Sequence, residues 1–268
     1  MKTLIFTVVD SGYIAYAPLF VRAAKKAYPD YEVLIISRDS LPAWLRHRDN
    51  IIHVSDNCRK GSAFTASLRH MIDPRKYVQD CDYTLITDVD MMIVRERNAI
   101  RDQHTIQMRN ELYENFAVPI TRYGYRMPGV HWVHEKWYDA TEKMRQMITA
   151  HYENQENKIG EPFHNGTATI MMSAHDAREM DEVMLYYMAN AIEPPSIRGT
   201  ETWRWHGLHL GRYKKPTRNI FRSDIMLMAK LLEDEQWFSL ATEYALYHPV
   251  LKKTLMRLME LNSTFGCK

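Results

Sequence analysis

The sequence predicts an α/β protein whose mostly parallel central sheet is flanked by helices and followed by a helical C-terminal appendage. Two observations carry that prediction. Short β-branched, apolar runs alternate with longer segments of helical apolar spacing, which is the pattern of a parallel sheet with crossover helices. Acidic residues then stand directly after two of the apolar runs, where ligands of such sheets bind.

The elements follow in order. Lys2 to Val9 is apolar and β-branched and stops at Asp10-Ser11-Gly12, so it reads as a buried first strand ending in a turn. Ala15 to Ala27 sets Leu19, Ala23 and Ala27 at helical spacing, and Pro29-Asp30 stops the run. Tyr31 to Ser37 is a second strand and Ile51 to Val54 a third. Ser62 to Ile72 is helical up to Asp73-Pro74. Tyr83 to Thr87 is a buried strand, followed at once by Asp88-Val89-Asp90 and apolar Met91 to Val94. The stretch from Arg97 to Glu161 is rich in Tyr, His, Trp and Arg, with a helical piece near Tyr138 to Tyr152. Its Tyr125, His131, Trp132, Trp137 and Tyr138 suit either an acceptor cleft or a core. Thr167 to Met172 returns to strand character, Asp176 to Ala191 is an amphipathic helix, and Ser223 to Leu261 is helical. One large domain over residues 1–222 with a helical extension over 223–268 fits the chain's 268 residues better than two equal domains.

Composition narrows the function. A chain that is 46% hydrophobic and 25% charged is an ordinary globular protein. Its net charge of +2 does not describe a molecule that grips nucleic acid over its whole surface. The stretch Trp203 to Arg222 is nevertheless basic and aromatic, as a surface for phosphates, bases or sugar rings would be. Leu4 to Val9 is too short for a signal h-region, and no window has the roughly 18–20 apolar residues of a membrane span. The cysteines, three in number, show no metal-ligand spacing, which fits a reduced, cytoplasmic protein. Leu251 to Met259 could lie on an anionic membrane as an amphipathic helix, or pack its Leu/Met stripe on the domain.

Asp88-x-Asp90 is the most informative feature. Two carboxylates on alternate residues at a strand end are costly to desolvate unless a cation offsets them. A hard divalent ion does so, taking carboxylate oxygens and filling its other positions with phosphate and water. A haloacid-dehalogenase-type nucleophile motif needs Thr or Ser two places after the second Asp, where Met92 stands. The segment His206 to Pro216 supplies an imidazole for the same ion and basic residues for a diphosphate, with Gly211 admitting close backbone approach. Phe163-His164-Asn165-Gly166-Thr167 is a tight turn whose Asn amide can both donate to and accept from sugar hydroxyls. A nucleotidyltransferase would carry a basic Gly-rich loop after the first strand, and Asp10-Ser11-Gly12-Tyr13 has no Lys or Arg.

In this order, these motifs resemble the GT-A glycosyltransferases, and most closely family eight, which includes the glycogenins and lipopolysaccharide galactosyltransferases. Phe6 to Tyr13 with Tyr16-Ala17-Pro18 is similar to that family's opening strand, Asp and Tyr. Tyr83 to Val94 is similar to its metal-motif strand, and Phe163 to Thr167 to its Asn-Gly turn. His206 or His209 leading to Gly211 and Lys214 or Lys215-Pro216 resembles its late His-Gly-Lys-Pro motif. The similarity covers about residues 1 to 220.

The resemblance implies a GT-A fold, a nucleotide-sugar donor (usually a UDP-sugar), Mn²⁺ or Mg²⁺, and transfer with retention of configuration. Thr7, Val8, Asp10 and Tyr13 would hold the nucleobase and ribose. Asp88, Asp90 and His209 would hold the metal, with Gly211 and Lys214 or Lys215 at the diphosphate. Asn165 and Gly166 would face the donor sugar, and Glu201 is the nearest acid to the place where the family sets a Gln or Asp pair by the reacting carbon. The family's Trp after Lys-Pro is Thr217 here. The acceptor would be a glycan or glycolipid, or alternatively modified DNA, and a binding protein without catalysis is the third reading.

Overall fold

The structure is a computed structural model that describes residues 2–45, 50–53, 62–95, 113–115, 131–154, 163–164, 169–170, 185, 188–189, 207–214 and 222–265. Its strands are β1 (Thr3–Val9), β2 (Glu32–Ser37), β3 (Ile51–His53), β4 (Tyr83–Ile86), β5 (Met91–Ile93), β6 (Tyr113–Asn115), β7 (His131–His134), β8 (Phe163–His164), β9 (Thr169–Ile170) and β10 (Gly207–His209). Its α-helices are α1 (Ala17–Ala27), α2 (Ser62–Met71), α3 (Lys136–Asn154), α4 (Arg222–Leu232), α5 (Glu235–Ala245) and α6 (Pro249–Phe265).

A six-stranded sheet runs in the order β3-β2-β1-β4-β7-β6. The first four strands are parallel, and β7 and β6 add antiparallel. The fold is thus α/β with a mostly parallel central sheet flanked by helices. β1 lies in its middle and is buried along its full length, as expected of a strand covered on both faces. Its side chains alternate: Leu4, Phe6 and Val8 join Leu34, Ile36, Val133, Trp137 and Tyr138 on one face. Ile5 and Val9 join Leu19, Phe20 and Ala23 of α1 on the other.

Order along the sheet sets the site. From β1 the chain passes to β2 on one side, and later returns to β4 on the other. The strand order therefore reverses between β1 and β4, and a crevice opens beyond their carboxyl ends. Asp10 follows β1, and Asp88 follows β4.

In the middle segment the structure decides between the two readings that the sequence left open. His131, Trp132, Trp137 and Tyr138 are all buried, and Trp132 stacks on Tyr83 with ring centroids 5.2 Å apart. These four are core rather than cleft, and Tyr125 lies outside the described residues. Beside them Arg145 of α3 is buried and donates to the carbonyls of Met71 at 3.1 Å and Tyr138 at 2.5 Å. It thereby satisfies a carbonyl at the C-terminal end of α2, which has no partner within its own helix.

The C-terminal helices pack on α1 and on the 3-10 turn Leu210–Lys214. In α6, Leu251, Leu255, Leu258 and Leu261 face inward, and the Tyr16 hydroxyl meets the Thr254 hydroxyl at 3.0 Å in the buried interface. Among the described residues, no helix is long and apolar enough to cross a membrane.

Asp234 ties α5 to α1. Its carboxylate accepts from the Trp237 amide at 3.3 Å as the N-cap of α5, from Lys26 at 2.8 Å and from Arg22 at 3.2 Å. Burial pushes its pKa up, but Lys26, the Trp237 amide and Arg22 outweigh that and hold it below the usual carboxylate range. A depressed folded-state pKa gives stability that is present above the unfolded value and lost as pH falls through the folded one. Asp234→Asn is therefore expected to lose about 1–2 kcal/mol at neutral pH. Urea melts at descending pH should show the gap to wild type closing below about pH 4; a gap independent of pH would mean that the charge is not what Asp234 contributes.

Candidate functional site

The candidate cation ligands are assembled from two distant stretches of chain. After β4 the chain turns through Asp88-Val89-Asp90, with the Met91 amide donating to the Asp88 carbonyl at 3.1 Å. β5 follows and pairs antiparallel with β10, in a register that sets His209 opposite Met91. The Leu210 amide then donates to the Asp90 carbonyl at 2.8 Å and fixes the end of β10 against the acidic turn. His209 thus stands beside Asp90, its Nε2 at 3.0 Å from Asp90 Oδ1. One ligand atom from each of Asp88, Asp90 and His209 lies within 4.8 Å of the others.

Glycines permit this approach. A Cβ on Gly211 would lie 2.1 Å from Asp90 Oδ2 and 3.2 Å from His209 Nε2. The sequence reading gave Gly211 to a phosphate; in the structure the protein atom nearest to a Cβ at that position is an oxygen of the Asp90 carboxylate. A Cβ on Gly207 would meet the Met92 carbonyl oxygen at 2.3 Å, so β10 can lie along β5 only with glycine there.

The burial of the two acids differs. Asp90 is buried, whereas the Asp88 side chain is 37% exposed and faces the cleft. That cleft has a volume of about 240 Å³ and is lined by Val8, Val9, Asp10, Tyr13, Ala66, Arg69, Asp88, Val89, Asp90 and His209. Asp10 closes a turn by accepting the Gly12 amide at 3.0 Å, while the Tyr13 amide donates to the Asp10 carbonyl at 3.1 Å. Val8, Asp10 and Tyr13 therefore line the same cleft as the acids. Thr7 is buried in β1 and is not part of the lining. Lys214 closes the 3-10 turn. Lys215, Asn165, Gly166, Glu201 and His206 lie outside the described residues.

Arg69 is the residue that sequence reading missed. It comes from α2, is buried, and donates through Nη1 to Asp88 Oδ1. Its Nε donates to His70 Nε2 at 3.2 Å. Burial, then the neighbouring His131 and Arg69, hold His70 well below the ordinary imidazole range, so it is neutral and can accept. Hydrophobic spacing marks polar helix residues as solvent-facing, yet Ser67, Arg69 and His70 all point inward. No local signal separates them from a solvated face.

The donor set suits a hard divalent cation. Two carboxylates and one imidazole on one side of a polar cleft match Mn²⁺ or Mg²⁺, and three protein ligands leave positions open for phosphate or water. Among the described residues the cluster is made of oxygen and nitrogen donors, a set that suits a hard or borderline metal.

No protein-family model matches the chain, and no curated protein does. Among solved structures it is similar to the glycosyltransferase GlyE of Streptococcus pneumoniae TIGR4, at 16% identity over 72% of this chain and 44% of that one, with a TM-score of 0.42. The apo form of GlyE is matched over 40% of its length, so the chain spans less than half of these relatives. An active-site mutant of LgtC matches at 13% identity over 90% of this chain and 96% of that one, with a TM-score of 0.43. LgtC, a galactosyltransferase, in complex with donor and acceptor sugar analogues, matches at 16% identity over 59% and 67%, with a TM-score of 0.35. These solved structures are of glycosyltransferases.

Proposed function

We propose that the chain is a glycosyltransferase that takes a sugar from a nucleotide-sugar, a UDP-sugar by resemblance, with Mn²⁺ or Mg²⁺ held by Asp88, Asp90 and His209. The observation that carries this reading is the meeting of those side chains within 4.8 Å at the reversal of strand order, in one cleft with Asp10 and Tyr13. When bound, the cation would offset the charge that develops on the leaving nucleoside diphosphate. Asp10 and Tyr13 bind and orient the nucleoside at the end of β1. Gly211 keeps the backbone close to Asp90, and Lys214 or Lys215 adds positive charge for the diphosphate. Asn165 and Gly166 face the donor sugar and Glu201 stands near the reacting carbon, with the configuration retained.

The acceptor is a glycan or glycolipid in this reading, met in the cytoplasm or at a membrane surface. The outer face of α6 supports it: Lys252, Lys253 and Arg257 line a groove with Met256, Tyr213 and Glu260. Although Glu260 pairs with Arg257 at 2.7 Å, the two lysines leave a basic and apolar mixture suited to an anionic acceptor.

A thermal-shift screen of nucleoside diphosphates and their sugars, with and without Mn²⁺, tests the reading. Ligands of the native state stabilise it by mass action, by about 2.7 kcal/mol at a hundredfold excess over Kd, and so raise its melting temperature. A shift with UDP or a UDP-sugar that needs Mn²⁺ is expected, and the product formed from that donor should keep the donor's anomeric configuration by proton NMR. A flat screen would overturn the donor site, and an inverted product would overturn retention alone.

A further inference from the structure

Asp88 and Asp90 are not equivalent as cation ligands. Asp90 lies against the His209 ring, which can lose its proton to a metal ion. Asp88 lies against Arg69, a guanidinium that stays charged at any pH the protein meets. Arg69 is held in place from behind, because neutral His70 accepts its Nε–H at 3.2 Å and both side chains are buried. Its charge therefore cannot swing out into water when something enters the cleft.

A divalent ion arriving alone must share Asp88 with that guanidinium and stand near a fixed charge of its own sign. The Arg69 side chain is buried, so the repulsion is only partly screened. A diphosphate reverses the sign of the balance, since its negative charges are attracted by the ion and by Arg69 together.

We infer that Arg69 makes cation uptake depend on the diphosphate: the lone ion binds weakly, and ion and nucleoside diphosphate bind as a cooperative pair. This rests on the assignment of Asp88, Asp90 and His209 as the cation site. Linkage makes the coupling reciprocal, so whatever factor UDP adds to Mn²⁺ affinity, Mn²⁺ adds to UDP affinity. The purpose it serves is order: an ion that enters only with its diphosphate leaves with it too, and the acids are not filled idly between turnovers.

The test is isothermal titration of Mn²⁺ alone, and of Mn²⁺ in the presence of saturating UDP, into the wild-type chain and into Arg69→Met, Arg69→Gln and Asp90→Ala. Removal of the charge should tighten binding of Mn²⁺ alone by roughly tenfold and shrink the factor contributed by UDP. Arg69→Gln keeps a donor toward Asp88 without the charge, so it should move in the same direction even if Arg69→Met is poorly folded. Binding of lone Mn²⁺ that is unchanged or weaker in both Arg69 variants, yet lost in Asp90→Ala, would overturn the coupling and leave the cation site standing. Absence of Mn²⁺ binding in every protein, with and without UDP, would overturn both.

Discussion

Asp90→Ala should abolish Mn²⁺-dependent nucleotide binding while leaving the apo protein at least as stable as the wild type. The two halves of this expectation come from the same burial. Asp90 is only 4% exposed, and a carboxylate so placed carries a desolvation cost that its polar neighbours, His209 among them, do not have to offset in full. Its backbone bonds survive the substitution, because the Leu210 amide donates to the Asp90 carbonyl and not to its side chain. The acidic turn and the β5–β10 pairing therefore persist, and the melting temperature without metal should hold or rise slightly. With metal, the variant offers one carboxylate and one imidazole in place of three ligands, and Asp88 is already engaged by Arg69. Mn²⁺ affinity should fall by about a hundredfold or more, at the upper end of what loss of supporting groups around a metal costs. Sugar transfer should fall with it. Titration of Mn²⁺ with UDP present checks the first half and a thermal melt without metal the second. Retained Mn²⁺ dependence would mean that the ion sits elsewhere; a large drop in apo stability would mean that Asp90 is chiefly a structural acid.

The parallel part of the fold was legible because each strand there is a local apolar run with a turn signal at its end. Lys2 to Val9, Tyr31 to Ser37 and Tyr83 to Thr87 each fall within a residue or two of β1, β2 and β4. The acids were legible for the same reason, since a carboxylate pair directly after a buried run is a local contrast in sequence. Pairing between distant segments leaves no such trace. Nothing in Met91 to Ile93 says that Gly207 to His209 will lie antiparallel to it, and only the resemblance to a family joined His209 to the acids. The antiparallel edge at β7 was obscured by composition. His131-Trp132-Val133-His134 alternates poorly between apolar and polar, because His131 and Trp132 are both fully buried. Arg69 was hidden by a rule that usually holds, that charged residues on a helix face water. It is buried because the cleft gives it Asp88 and His70 as partners, and that cleft exists only once the sheet is assembled.

Gly211→Ala should damage the site too, by a route different from loss of Asp90 that a second substitution can expose. The added Cβ would fall 2.1 Å from Asp90 Oδ2 and 3.2 Å from Asp90 Cγ. The first distance is shorter than any carbon can hold to an oxygen and the second is tight, so the carboxylate must swing away or the turn must lift off. Either movement separates Asp90 from His209, now 3.0 Å apart, and Mn²⁺ affinity in the presence of UDP should drop at least tenfold. Overpacking of this kind costs about 1–3 kcal/mol, so the apo melting temperature should fall as well, unlike that of Asp90→Ala. The two changes should then fail to add. In Asp90→Ala/Gly211→Ala the clashing atoms are gone, and of the three atoms nearest to the new methyl group His209 Nε2 at 3.2 Å remains. The double variant should recover most of the stability that Gly211→Ala loses, an interaction energy of about 1 kcal/mol or more between neighbouring sites. Additive losses would show that Gly211 acts through its own backbone, and that its place beside Asp90 does not govern the geometry of the acids.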